Sequence, residues 1–175
     1  MEASSKDPEN LLLWRMNRKR LSVEQWRDAI LFASGSLSDR GGKSMELDDE
    51  RNHRRTVYGR VSRLKLNDTL MQFDYPDANV HAERRAVTTT PIQKLFVLNN
   101  PFVMECAERF AERTDCSTPK ERIHRAYQFL FGREPQPVEE SAACAFLSKP
   151  EDSDFTRWQQ YAQVLFASNE FWYVD

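Results

Sequence analysis

Prolines set directly behind a capping side chain punctuate this sequence, and they constrain its fold more than any other feature. Asp7-Pro8, Thr90-Pro91, Asn100-Pro101 and Thr118-Pro119 all have this form, and Pro137 stands as a fifth opener. Proline suits the first position of a helix, where its missing amide would have no partner anyway. Further in, it removes a ladder hydrogen bond and clashes with the preceding turn. The chain must therefore fold as a succession of short helices, each restarted at a proline, rather than as a sheet or a few long helices.

The spacing of apolar residues fills in the segments between these openers. Pro8 opens a helix to about Arg20, whose basic end Arg15–Arg20 suits a helix C-terminus. Ser22 and Gln25 form a capping box for a second helix. Val23, Trp26, Ile30 and Ala33 share its inner face, Ala29 borders it, and Gly35 ends it. Asn67 caps a short helix to about Phe73. From Pro91, Ile92, Leu95, Phe96 and Asn99 follow the helical period, with a break at Asn99–Pro101. Phe102, Val103, Cys106, Ala107 and Phe110 then line a helix to about Arg113. The next opens at Thr118-Pro119-x-Glu121, turns Ile123, Ala126, Tyr127 and Leu130 inward, and closes at Gly132. Pro137 starts one carrying Ala142, Ala145 and Phe146. The last runs from about Asp154 with Phe155, Trp158, Tyr161, Ala162, Leu165 and Phe166 as its apolar face.

Residues 35–54 and 74–89 read as long loops. Arg55–Val61 alternates with period two and is the one plausible strand. The expected fold is mainly α. It is an orthogonal multi-helix bundle forming a single domain over residues 1–175, with at most one or two short strands near residues 55–61.

Composition agrees. In 175 residues there are only 5 Gly against 11 Phe, 5 Tyr and 4 Trp, which favours a packed body over disorder. A net charge of -2 implies neither a polyanion nor a membrane-surface partner. Cys106, Cys116 and Cys144 form no CxxC pair, and Cys106 and Cys144 fall on apolar helix faces as core cysteines. No run approaches the ~20 apolar residues of a membrane span. The polar start carries no signal peptide, so the sequence alone reads as cytoplasmic.

Few motifs carry chemistry. Gly41-Gly42-Lys43-Ser44 lacks the earlier glycine and the preceding strand that a phosphate-binding loop needs. The run Glu46, Asp48, Asp49, Glu50 lacks calcium-loop spacing and reads as a solvated acidic loop. His53, His81 and His124 share no ligand spacing with each other or with the cysteines, so no metal site is nominated. Arg51, Arg54, Arg55, Arg84 and Arg85, with Tyr58, Arg60 and Arg63, interleave with acidic residues. Structural ion pairing explains them better than nucleic-acid binding.

The stretch from Asp74 to Thr90 is long, polar and free of glycine. Ordered loops of this length between helices often hold ligands, and its end falls at a helix N-terminus. Its candidate ligand-binding residues are Asp74, Asp77, Asn79, His81, Arg84, Arg85, Thr88, Thr89 and Thr90. The competing structural reading is a capped loop whose arginines brace carboxylates.

Several segments together resemble a known family. They are Asp7-Pro8-Glu9-Asn10, Leu12-Leu13-Trp14-Arg15-Met16, Arg18-Lys19-Arg20-Leu21, Arg27-Asp28-Ala29-Ile30-Leu31, Arg54-Arg55-Thr56-Val57-Tyr58 and Phe73-Asp74-x-Pro76-Asp77-x-Asn79. The sharpest is Arg85-x-Val87-Thr88-Thr89-Thr90-Pro91, running into Leu95-Phe96 and Leu98-Asn99-x-Pro101-Phe102-Val103. Arg125-Ala126-Tyr127, Leu130-Phe131-Gly132-Arg133, Ser168-Asn169-Glu170-Phe171 and Val174-Asp175 complete the set. In this order they resemble the later part of a C-terminal domain, of unassigned function, in planctomycete cytochrome-c-associated exported multidomain proteins.

The resemblance implies an architecture rather than an activity. Haem is expected only in the family's N-terminal segment, so no cofactor is expected in this chain. Location by resemblance is periplasmic or exported. The chain corresponds to the C-terminal portion of a larger family domain, as a truncated or split member. A helical body divided in this way leaves an apolar face uncovered. Leu11, Leu12, Leu13 and Trp14 are the expected interaction face, and the upstream family segment or another protein is the expected partner. The leading functional reading is a non-catalytic helical accessory or interaction module. Two others stay open: an extracytoplasmic enzyme or ligand site for carbohydrate or another polar ligand at the 74–90 loop, and nucleic-acid binding.

Overall fold

The structure is a computed structural model that describes residues 2–49, 51–151 and 154–174. Glu50 of the acidic run and Asp175 of the last family motif lie outside the described residues. Helices α1 (Glu2–Lys6), α2 (Val23–Ala33), α3 (Asp68–Gln72), α4 (Pro91–Asn99) and α5 (Pro101–Arg113) are followed by α6 (Pro119–Phe131), α7 (Pro137–Leu147), α8 (Arg157–Ala167) and α9 (Asn169–Trp172). The fold is mainly α. Among the described residues a two-stranded sheet pairs β1 (Lys19–Arg20) antiparallel with β2 (Tyr173–Val174).

The proline punctuation holds at every opener except Pro8. Pro91, Pro101, Pro119 and Pro137 each open their helix, and Asn100 both ends α4 and caps α5 by accepting from the Phe102 amide. Ser22 and Gln25 cap α2 reciprocally, and Gly35 and Gly132 take the left-handed conformation after α2 and α6. α8 lies against α4, α5 and α7. One continuous core results, with Trp26, Ile30, Leu31, Val97, Val103, Phe110, Ile123 and Phe166 fully buried in it.

Three expectations fail for identifiable reasons. Residues 8–20 are not helical. The carboxylate of Asp7 accepts from the amides of Leu11 (2.9 Å) and Leu12 (2.7 Å), and Asn10 bonds the amide and carbonyl of Arg15. Short polar side chains thus compete with the helical ladder for the backbone. Nor is 55–61 a strand: Thr56–Tyr58 is a 3-10 turn, because the Thr56 amide donates to Asp28 and the Tyr58 and Gly59 amides bond back to Arg55 and Thr56. Only an isolated bridge joins Gly59 to Met45, so the strands occur elsewhere in the chain.

The faces of α4 and α7 are also misassigned. Gln93 and Val97 point inward on α4, leaving Ile92 and Leu95 exposed. On α7 the inner positions are Ala143, Phe146 and Leu147, so Ala142 and Ala145 face out and Cys144 is an exposed thiol rather than a core one.

Gly59 shows how tightly the 55–61 turn is packed. A Cβ there would lie 2.9 Å from both Leu47 Cγ and the Thr56 carbonyl oxygen, and closer still to Leu47 Cδ2. Leu47 belongs to the core. Gly59→Ala should therefore destabilise by about 2 kcal/mol through overpacking. A lowered urea midpoint with an unchanged m-value would register it.

Candidate functional site

A depression of about 860 Å³ opens beside the N-terminal turns of α2. Its apolar lining comes from Val23, Leu47, Leu70, Phe73 and Trp172, all buried. Phe73 and Trp172 stack at 5.5 Å, and Trp26 stacks on both from behind, at 5.7 Å and 4.6 Å. One wall is the 55–61 turn, and the other is formed by residues 74–75 and 85–87.

The rim is charged but internally bonded. Glu24 and Asp28 stand one helical turn apart on α2. Glu24 accepts from Arg85 at 2.7 Å, and the Arg85 guanidinium lies 4.8 Å above the Tyr75 ring. Burial pushes the Glu24 carboxyl up, but the Arg85 bond and the local amide and Ser22 bonds outweigh it and hold it below its ordinary value. Asp28 accepts from the amide and hydroxyl of Thr56, both at 2.7 Å, and pairs with Arg55 at 3.5 Å. Arg20 covers Trp172 at 4.8 Å and donates to Gln93.

The 74–90 loop divides into three parts. Asp74 accepts from the amide (2.8 Å) and hydroxyl (2.9 Å) of Thr88, and Thr90 caps α4. Gln93 joins these ends by donating to the Gln72 carbonyl and the Thr88 hydroxyl. Asp77 and Asn79 form a separate turn, with Asn79 donating to the Arg63 carbonyl. His81, Arg84 and Thr89 are exposed and lie outside the lining of the depression. Of the nine candidate residues, only Asp74 and Arg85 line it.

Sequence reasoning missed Gln93 and the rim pair Glu24 and Asp28. The Thr-Pro-x-Gln spacing, a capping box, was the available signal for Gln93. The rim pair had a weaker one, two carboxylates at i and i+4 opposite a distant arginine cluster.

The remaining charged clusters are structural. Asp48 accepts from Asn67 and Thr69, Asp49 pairs with Arg51 at 3.0 Å, and Glu46 pairs with Arg60 at 3.2 Å. Arg54 holds the Lys43 carbonyl of the Gly41–Ser44 segment. Among the described residues no group of three His, Cys, Asp or Glu side chains is placed to hold a metal ion. No described helix is long and apolar enough to cross a membrane.

Leu11, Leu12 and Leu13 are 76%, 83% and 72% exposed. Trp14 is partly exposed and donates its indole N–H to the Asp7 carbonyl at 2.8 Å. The run is thus displayed on a backbone that Asp7 and Asn10 pin in place.

Fold and surface together define a mainly α domain with an apolar-lined, charge-rimmed depression and a separate displayed apolar loop. The chain belongs to the PSD1 family, described as protein of unknown function (DUF1553), whose model matches residues 1–147. No curated protein and no solved structure matches it.

Proposed function

We propose that this chain is a non-catalytic interaction module. Its Leu11–Trp14 loop would dock on the portion of the family domain that lies N-terminal to the part resembled here, carried on the same polypeptide or on another. The observation that carries this reading is the display of three adjacent leucines on a pinned loop. Leu13 sits at φ 54, a left-handed conformation that disfavours leucine by roughly 1–2 kcal/mol. An apolar side chain held there despite that preference fits a docking anchor.

The depression supports the same reading. Asp28 and Asp74 accept from neighbouring groups and Glu24 accepts from Arg85 through Oε1, its buried Oε2 having no hydrogen-bond partner, and beneath them the apolar lining offers a docking surface. The resemblance to planctomycete cytochrome-c-associated proteins adds a setting: an exported assembly in which haem and its chemistry reside on a separate segment.

The test mixes the chain with a separately produced upstream half of the family domain and follows association by calorimetry and light scattering. A one-to-one complex is expected. Leu12→Asp combined with Leu13→Asn should weaken it at least tenfold. The same double variant should keep the melting temperature of the parent or raise it slightly, since asparagine tolerates the left-handed position. No complex, equal binding by the variant, or a parent that instead forms a homodimer through this loop would each overturn the reading.

A further inference from the structure

His124 stands on α6 with a carboxylate against each ring nitrogen. Nε2 is 2.9 Å from Glu140 Oε2 on α7, and Nδ1 contacts Glu134 Oε2 on the turn between the two helices. An imidazole satisfies two carboxylates only when both nitrogens carry protons. In the neutral ring one nitrogen is a lone pair, and the carboxylate facing it is repelled rather than bound. The arrangement therefore has two states, set by one proton.

We propose that the α6–α7 hairpin carries a proton-operated latch: the imidazolium of His124 ties both the Glu134 side chain of the 132–136 turn and α7 to α6, and loss of the Nδ1 proton releases the Glu134 side chain while α7 stays bound. The asymmetry follows from the other partners. Glu140 also pairs with Lys120 at 3.0 Å, so a cation still holds it after the ring is neutral. Glu134 is the more exposed carboxylate, and its other partner is the neutral amide of Gln128 at 2.6 Å. The remaining Nε2–H therefore stays with Glu140.

The charged groups around the ring favour the proton. From α6 itself, Lys120, Glu121 and Arg125 flank His124 about the same shallow depression, while Glu134 faces it from the turn and Glu140 from α7. Arg133 is turned away, fixed to Glu139 at 2.8 Å and Glu170 at 2.7 Å. Arg133 belongs to the 132–136 turn and also donates to the Glu134 carbonyl at 3.0 Å, so it keeps the turn backbone tied to α7 and α9 in both states, and the latch frees the Glu134 side chain alone. The Glu140 bond, opposed by some burial and helped by Glu134, holds the imidazolium above the ordinary value of 6.5. Stabilisation by the latch is accordingly complete below the unfolded-state value and is lost as pH rises through the higher folded value.

The experiment is a histidine ring-nitrogen NMR titration of the full chain, with the Glu134 and Gln136 amides followed in parallel. His124 should titrate above 6.5, move to the Nε2–H form at high pH, and carry the two amides with the same midpoint. Glu134→Gln and Glu140→Gln should each lower that midpoint. A midpoint at or below 6.5, an Nδ1–H tautomer at high pH, amides that do not follow, or a midpoint unmoved by both variants would each overturn the latch.

Discussion

Replacing Arg27 by methionine should destabilise the fold by about 3 kcal/mol, within the range for breaking a buried hydrogen-bonded charge network. Arg27 is 3% exposed, and among the described residues no carboxylate bonds it directly. Its guanidinium instead donates to the carbonyls of Asn52 and Arg54 and to the Thr56 hydroxyl, and lies 4.9 Å from the Phe102 ring. Burial holds its pKa below the ordinary value, with Asp28 partly opposing that. Methionine fills much of the space but leaves two buried carbonyls without donors, at roughly 1–3 kcal/mol each before relaxation.

Arg27→Lys should recover little. An ammonium is a compact point charge, and only the planar fork spans all three acceptors. Chemical denaturation measures the loss. Amide exchange at Thr56 and Gly59 should speed up in the same variants, because Arg27 anchors the turn that walls the depression. Unchanged stability in Arg27→Met would show that the 52–56 loop holds itself.

The second large effect is at Trp26. Trp26→Ala should cost about 4 kcal/mol, as expected for removing a fully buried large aromatic. Trp26 is the ring on which Phe73 and Trp172 both stack, so its loss undermines the apolar lining of the depression and the seat of β2. Trp26→Phe makes a useful comparison. The indole N–H has no hydrogen-bond partner, so phenylalanine sacrifices ring area and no bond. Its cost should be nearer ~1.5 kcal/mol, because most of the buried ring area is kept. Equal losses in the two variants would mean that the N–H is bonded in solution.

Much of this fold was legible because its signals are local. A capping side chain, a proline and a left-handed glycine act within one helical turn, so α2, α5 and α6 could be placed almost to the residue. The failures share a different cause. Asp7 and Asn10 turn their side chains onto the backbone, and nothing in apolar spacing registers that choice. On α4, Ile92 and Leu95 present as good a stripe as Phe96 and Val97, and the face was decided by Gln93, whose amide bonds the nearby Thr88 hydroxyl and the distant Gln72 carbonyl.

The candidate site was half legible for the same reason. Asp74 and Arg85 were named from loop polarity. Thr88, the partner of Asp74, was named with them, but Glu24, the partner of Arg85, and the apolar residues beneath the depression are brought there only by packing. Cys144 shows the limit of small-residue patterns: in an alanine-rich helix, any of three faces can be the inner one.

The β1–β2 pairing has a consequence for how the domain can be joined to others. Arg20 meets Tyr173 and Lys19 meets Val174, while the Leu21 amide donates to the Trp172 carbonyl at 2.8 Å. Polypeptide entering before Lys19 and polypeptide leaving after Val174 therefore pass through one edge of the body, side by side. The segment that carries Leu11–Trp14 therefore leaves the body beside Val174, so a bulky group attached after Val174 would stand near the base of that segment rather than across the molecule from it.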